Sequence, residues 1–453
     1  MLSKTPPMFV AAIKTVTQKK FFFRAAFFVS LLFVFISCVT TNPYSQIDNL
    51  VEKEDFTQSI DSLERHNRNI YRDRDSVLYF LDRGMLAHYN GNYEESTELL
   101  QQGERKIEEN FTVSITQEIG TYILNDRVKE YEGEDYEDIY LNLFNALNYY
   151  QLGNLEGALV EIRRMNNKLR DLSVKYGQLM TNIQQMALEN NTEIPPNPGA
   201  SIKFNNSALA RYIGMLFYRG YGLIDDARID QNQLRIAMAD APQIYKNPVP
   251  SSIREELHIP YGMARFNVIG FAGLSPVKTE EIIRIWIRNA WIKIALPVMT
   301  PRPSRINSID VIFDSGEHFT LELLEDLGEV INATFSQKKS LIYAKSVIRA
   351  SIKGIAASVF FDAARHSRNE KGLFAMLGLG SQMLAEATER ADLRAARYLP
   401  GKAYVGGINL KPGTYSYTII YYGQKKRRIA EYRFENVIIR ADALNLTEVI
   451  CLR

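Results

Sequence analysis

The sequence predicts an α+β protein with N-terminal α-helical hairpins, then an antiparallel sheet with helices, and a C-terminal β-rich module. Between about residues 76 and 241, apolar residues recur three and four positions apart, which is the period of a helix. From residue 264, short β-branched and aromatic runs alternate with Gly, Pro, Asn and Asp turns, and from residue 398 the pattern is β-rich to the end.

The composition is that of a globular protein and excludes several classes. The 453 residues are 46% hydrophobic and 23% charged, and this length suggests two or three domains. Of 54 basic residues, five fall in residues 1–37 with no acid, so the rest of the chain holds 49 basic and 52 acidic residues. A nucleic-acid binder keeps a basic footprint, so we expect no nucleic-acid partner.

The first 37 residues are predicted to be a lipoprotein signal peptide. Basic residues between Lys14 and Arg24 precede an apolar run at 25–36, which is the order of a secretory signal. The run is shorter than the roughly 20 residues of a spanning helix. Its end, Ser37-Cys38, resembles the lipobox of bacterial lipoproteins, although Phe35 stands where Leu is usual.

The lipobox resemblance implies that the leader is cut before Cys38 and that acyl chains on this cysteine anchor the protein in a membrane. Val39, rather than Asp, follows the cysteine, which by analogy with enterobacterial sorting favours the outer membrane over the inner one. We expect a periplasm-facing envelope protein in which residues 38–75 form a lipidated tether and an early helix. The alternative is an uncleaved anchor with an incidental cysteine.

A tetratricopeptide-like helical domain is expected over residues 76–241. Three stretches show a helix, a glycine turn at Gly91, Gly153 or Gly222, and a second helix with a small residue five positions after the glycine. This arrangement resembles the tetratricopeptide repeat, most closely at residues 143–163. The glycines are 62 and 69 residues apart (153 − 91 and 222 − 153), whereas tandem repeats recur at 34, so we do not expect a regular array.

A mixed sheet-and-helix domain is predicted for residues 251–395, after a proline-rich break at 242–250. Its strands are expected at 264–271, 282–287, 291–296, 308–313 and 317–321. Its helices are expected at about 323–335, 341–364 and 373–393.

Residues 396–453 are predicted to be a β-rich C-terminal module. A Lys-Pro-Gly-Thr-Tyr run at 411–415 leads into an alternating strand that ends at Tyr422. Further strands are expected at 429–434, 436–440 and 447–452. These strands either form a separate small sandwich or complete the middle sheet.

The run Glu-Ala-Thr-Glu-Arg-Ala-Asp-Leu-Arg at 386–394, with Tyr-Leu-Pro at 398–400 and Leu-Lys-Pro-Gly at 410–413, is similar to an uncharacterised family of bacterial envelope lipoproteins. The resemblance implies a tetratricopeptide-like helical region and a mixed C-terminal part. It also implies occasional gene proximity to outer-membrane activators of penicillin-binding proteins, and hence a link to peptidoglycan or outer-membrane assembly. The family pattern supplies no catalytic residues.

No pattern predicts a catalytic, cofactor-binding or metal site. The five histidines lack zinc-site spacing, and no nucleophile elbow or phosphate loop occurs. An acidic cluster at 130–138 is interpreted as a solvated loop and helix start rather than glycosidase carboxylates or a calcium loop. The basic run at 425–428 either contacts anionic lipid or glycan, or keeps a hairpin tip soluble.

The sequence therefore predicts a non-catalytic scaffold that is anchored through Cys38 and binds an unidentified envelope protein. Tyr149 and Tyr218, at equivalent places in the first helix of their hairpins, are the candidate partner contacts. One alternative is an envelope enzyme acting on glycan, with carboxylates assembled by the fold. Another is a binder of an apolar ligand in a cavity beside residues 341–393.

Overall fold

The computed structural model describes residues 44–116, 129–189, 206–287, 290–366 and 390–453. From Ile47 to Arg453 the chain packs as a single unit. The leader, Cys38 and most of the helix expected at 373–393 lie outside the described residues.

The front half of the described chain is helical, and its helices begin at residues that cap them. The helices α1 to α8 are Tyr44–Glu52, Phe56–Ile70, Ser76–Tyr89, Tyr93–Thr116, Asp135–Gln151, Leu155–Glu189, Ala208–Gly220 and Ile224–Asp240. The Asp55 carboxylate accepts a hydrogen bond from Gln58 N before α2, and the Ser207 hydroxyl accepts one from Ala210 N before α7. These bonds satisfy amides that a helix start leaves unpaired.

Three helical hairpins, α3–α4, α5–α6 and α7–α8, turn at the expected glycines. Gly91, Gly153 and Gly222 have φ angles of 77°, 75° and 85°, a conformation that glycine adopts without strain. In each turn the next residue's amide donates to the carbonyl five positions earlier, which closes a Schellman motif. The small residues five positions after the glycines are fully buried between the paired helices: Ser96, Ala158 and Ala227.

The back half contains a seven-stranded mixed sheet. The strands β1 to β9 are Ala264–Leu274, Val277–Ile287, Ala290–Thr300, Ser308–Phe313, His318–Asp326, Pro400–Leu410, Gly413–Tyr422, Arg428–Ile439 and Asn445–Cys451. Their order in the sheet is β8-β7-β4-β5-β6-β1-β9. The expectation of an antiparallel sheet is corrected at one edge, because β9 crosses to the far side and pairs parallel with β1.

Strands from the two expected C-terminal regions interleave in this sheet. β6 lies between β5 and β1, and β7 pairs with β4, so the C-terminal strands complete the middle sheet. Their shared core includes the rings of Phe266, Phe313 and Tyr417, whose centroids lie 5.0–5.5 Å apart. β2 and β3 leave the sheet and form their own two-stranded hairpin.

In two places, a single helix or strand replaces two that the sequence predicts. One helix, α9 at Leu327–His366, replaces the two expected at 323–335 and 341–364, because neither proline nor glycine separates them, while the preceding residues extend β5. The strands expected at 429–434 and 436–440 merge into β8, where Asn436 adopts a φ of 54° beside a shift in the pairing with β7. A bulge of this kind bends a strand without ending it.

Candidate partner-binding surface

The first helix of each hairpin lies against the sheet. In α5, Phe144 packs on Phe271 of β1, with ring centroids 5.3 Å apart. In α7, Arg219 donates to the Asn267 side chain of β1 at 2.7 Å, and α3 reaches β9 through His88. In the described part of the chain, the face formed by the first helices is therefore covered by the chain's own sheet.

A series of hydrogen bonds holds His88 in its charged form. Ser96 Oγ donates to Gly84 O at 2.8 Å and therefore accepts from Asn148 Nδ2, also at 2.8 Å. Asn148 Oδ1 then faces His88 Nδ1 at 2.6 Å, and Glu448 faces Nε2 at 2.8 Å. Both ring nitrogens meet acceptors, so both carry a proton. Burial by itself lowers the pKa of His88, but the Glu448 charge and the hydrogen bonds outweigh it and raise the pKa.

Glu325, at the end of β5, is a second buried group that joins helices to the sheet. Its carboxylate accepts hydrogen bonds from Tyr140, from Ser207 Oγ at 2.9 Å, from Leu209 N at 3.2 Å and from Tyr245 Oη at 2.6 Å. Burial raises the pKa of Glu325, although these donors act in the opposite direction. The carboxylate is enclosed and saturated, and it lies at the positive N-terminal end of α7, so its role is to hold helices in place.

The acidic stretch at 130–138 is partly buried, which corrects its interpretation as solvated. Glu134 pairs with Lys278 of β2 and, at 2.9 Å, with Lys338 of α9. Burial and the nearby Glu134 charge raise the pKa of Glu137 to about 7. Sequence reasoning missed this cluster because the two lysines lie 144 and 204 positions away along the chain.

Glu104 and Glu161 form a facing pair of carboxylates between α4 and α6. The Asn142 amide fills the space between them and donates to both, at 2.9 and 2.7 Å. Lys168 and Arg164 neutralise Glu104 from the outside, at 2.8 and 2.7 Å. A glycosidase needs room for its substrate between the two carboxylates, and this pair leaves none.

A small cavity lies beside Tyr245, between the end of α8, β5 and the start of α9. Its volume of about 70 Å³ is well below the roughly 300 Å³ at which ligand pockets begin. Among the described residues, no three His, Cys, Asp or Glu side chains cluster as a metal site requires. A search of the same residues found no helix with the length and apolar character to cross a bilayer.

The candidate contacts Tyr149 and Tyr218 pack against neighbouring helices. Tyr218 is 8% exposed, and the guanidinium of Arg163 lies 5.9 Å from its ring centroid. Tyr149 is half-buried, and its hydroxyl accepts a hydrogen bond from Gln101 Nε2 at 2.9 Å. These contacts involve α6 and α4 of the same chain.

Large apolar side chains are exposed on another part of the third hairpin. Ile229 and Ile236 of α8 are 57% and 45% exposed, and their spacing of seven residues places them on one helix face. Tyr221 and Ile224, at the turn before and the start of α8, are 51% and 42% exposed. We refer to these four residues as the α8 surface. Sequence reasoning missed its two central isoleucines because they have the spacing of core positions.

No family model, curated protein or solved structure matches this chain. Its function is therefore inferred from its own residues and their geometry.

Proposed function

We propose that this protein is a lipid-anchored bacterial envelope lipoprotein whose tetratricopeptide-like hairpins act as a non-catalytic scaffold for another envelope protein. The basic leader, the apolar run at 25–36 and Cys38 support the anchor. Val39 after the cysteine supports the outer membrane rather than the inner one. The link to peptidoglycan or outer-membrane assembly is proposed only from the sequence resemblance of residues 386–394 to envelope lipoproteins.

The α8 surface is the observation that carries the scaffold proposal. Clustered apolar side chains in water are a feature of interaction sites. Ile229 and Ile236 have the spacing with which one helix meets the apolar stripe of another. Exposed side chains of both signs lie on the same helix, and Arg228 pairs with Asp225 at 2.7 Å. The partner segment that fits is an amphipathic helix whose apolar anchors recur at the same spacing.

The position of the sheet explains why we place the partner on a second helix. A tetratricopeptide-like array binds peptides along a concave surface. In this chain Phe144 and Arg219, on the first helices of two hairpins, are engaged by β1. Within the described helices of the hairpins, the exposed large apolar side chains lie on the second helices α6 and α8, and α8 carries Ile229 and Ile236 on one face, which is why α8 is the proposed contact.

Photo-crosslinking in intact cells tests this proposal. A crosslinkable residue at Ile229 should give one discrete protein adduct, and the adduct should disappear when Ile236→Asp is added. The same residue at Lys411, an exposed position in the turn between β6 and β7, serves as the control and should not give this adduct. An adduct that survives Ile236→Asp, or equal labelling from Lys411, contradicts a partner site on α8.

A further inference from the structure

One end of the sheet gathers exposed basic side chains. The turn between β7 and β8 carries four consecutive exposed cations at 425–428, and exposed Arg305 lies beside it. Asn307 N donates to Tyr422 O at 2.7 Å, which holds the segment after Arg305 against this turn. We refer to Arg305 and residues 425–428 as the basic end.

Glu54 and the C-terminal Arg453 lie close to the basic end. The Arg453 carbonyl accepts from Arg305 N at 3.1 Å, and the Arg453 guanidinium donates to Ile429 O at 3.0 Å. The same guanidinium pairs with Glu54, just after α1, at 3.2 Å. In the sequence, the proposed lipidation site Cys38 precedes Glu54 by 16 residues (54 − 38).

Two lysines occupy turn positions that favour other residues. Lys425 and Lys426 have φ angles of 55° and 56°, a left-handed conformation for which hairpin turns prefer Asn-Gly. Lys426 pairs with Asp310 at 3.1 Å, whereas no described carboxylate forms an ion pair with Lys425, Arg427 or Arg305. Lysines therefore stand at two positions where the backbone conformation favours Asn or Gly. Departures of this kind from local preference are typical of functional sites.

We propose that the basic end binds the anionic headgroups of the membrane that holds the lipid anchor. Each exposed Lys or Arg near an anionic bilayer adds affinity, and a polybasic patch is a known second signal beside an acyl anchor. The cations surround a protruding turn rather than a pocket, which fits a charged surface better than a single bound phosphate. This inference rests on the proposed anchor for its choice of membrane, but its test does not depend on lipidation.

Vesicle binding by full-length chains tests the proposal. Lys425→Asn with Arg427→Gln removes two charges, and Asn tolerates the left-handed turn position. The control, Lys411→Gln with Arg440→Gln, removes two exposed charges at the opposite end of the sheet. All chains keep the same leader, so its affinity for lipid is common to them. Equal melting temperatures confirm folding.

At about fivefold per charge, the test pair should bind phosphatidylcholine–phosphatidylglycerol vesicles about 25-fold more weakly, with no change on phosphatidylcholine alone. The control pair should bind like wild type. Undiminished binding by the test pair, or an equal loss in the control pair, overturns the proposal. Displacement by inorganic phosphate at constant ionic strength overturns it in favour of a phosphate site. Crosslinking from Ile229 should persist in the test pair, which separates this outcome from the scaffold proposal.

Discussion

His88 Nε2 lies 2.8 Å from the carboxylate of Glu448, and this contact joins the first helical hairpin to the last strand across 360 residues of sequence. The two side chains are only 1% and 4% exposed. A buried ion pair is tolerated when hydrogen bonds satisfy its remaining polar atoms, and Asn148 does so at the other ring nitrogen. The protonation of His88 therefore contributes to the docking of the first hairpin on the sheet.

We expect the stabilising effect of His88 to decrease as the pH rises. Its folded pKa is raised above the ordinary 6.5, so its stabilisation is complete below pH 6.5 and is lost as the pH rises through the raised value. Urea denaturation across this range should show the wild type losing its advantage in unfolding free energy over His88→Gln. The exposed His258 provides the control, because His258→Gln should keep the wild-type profile. A pH-independent difference between wild type and His88→Gln would indicate a neutral imidazole.

Tyr245→Phe should lower the free energy of unfolding by about 2 kcal/mol, the usual worth of a hydrogen bond to a charged group. The Tyr245 hydroxyl donates to Glu325 at 2.6 Å and accepts from Ala208 N at 2.9 Å, so its loss removes one of the donors to the buried Glu325 carboxylate and leaves the buried Ala208 N without this acceptor. Chemical denaturation measures the loss. Tyr261→Phe is the control, because Tyr261 is fully exposed and its change should leave the stability of the protein unchanged. Equal stability of the two variants would contradict the role of Glu325 in holding the helices in place.

The local structure of the hairpins could be predicted from sequence, and their surroundings could not. The turn at Gly153 needs only a glycine, a helix period and a small residue, all within about 20 positions of sequence. The contacts that dock the hairpins, such as Glu134 with Lys278 and Lys338, join residues that no local pattern relates. For the same reason the parallel pairing of β9 with β1 was not foreseen.

The α8 surface could not be predicted from the sequence for a different physical reason. Ile229 and Ile236 recur at helical spacing, which predicts a buried stripe unless the position of the neighbouring layer is known. Because the sheet covers the first helices, the outward side of α8 has no described layer over it, and these isoleucines are exposed. Tyr218 has the same kind of pattern and is buried. A periodic pattern predicts which side chains share a helix face, but it does not predict whether another part of the protein packs over that face.

Two glycine-to-alanine changes should differ in cost. Gly153→Ala adds a methyl group in open space at a φ of 75°, so only backbone strain opposes it, about 1–2 kcal/mol. Gly214→Ala lies within α7, where alanine favours a helix, yet the new Cβ would overlap the Asp230 carboxylate and press on Ile162. We expect a loss of about 3 kcal/mol, at the upper end for overpacked cores. Denaturant midpoints will rank them, and a stabilised Gly214→Ala would refute the packing of α7 on α8.

Cys38→Ala should release the protein from the membrane into the soluble periplasmic fraction, because the proposed acyl chains have no other attachment site. Cys451→Ala is the matched control, since Cys451 is buried in β9 and its removal should leave the protein membrane-bound. Mass spectrometry of the N-terminal peptide should detect acylation in wild type and in the control only. An unmodified Cys38 on a retained leader would disprove the anchor.

The tyrosines and isoleucines of the third hairpin should separate packing from partner binding. Tyr218→Ala removes a buried ring, so it should cost roughly 3–5 kcal/mol and lower the melting temperature. The half-buried Tyr149 should cost less on the same change. Ile236→Asp changes an exposed side chain and should melt like wild type, yet lose the adduct from the probe at Ile229.

Measuring melting and crosslinking together distinguishes the two surfaces. If Tyr218→Ala melts normally and loses the adduct, the partner contacts the tyrosine side, and the α8 assignment fails. If Ile236→Asp melts early, the isoleucine is part of the core. Because Tyr218 is only 8% exposed and Ile236 is 45% exposed, we expect Tyr218→Ala to melt early and Ile236→Asp to melt like wild type. Replacing a side chain costs much stability only where folding had excluded water from it.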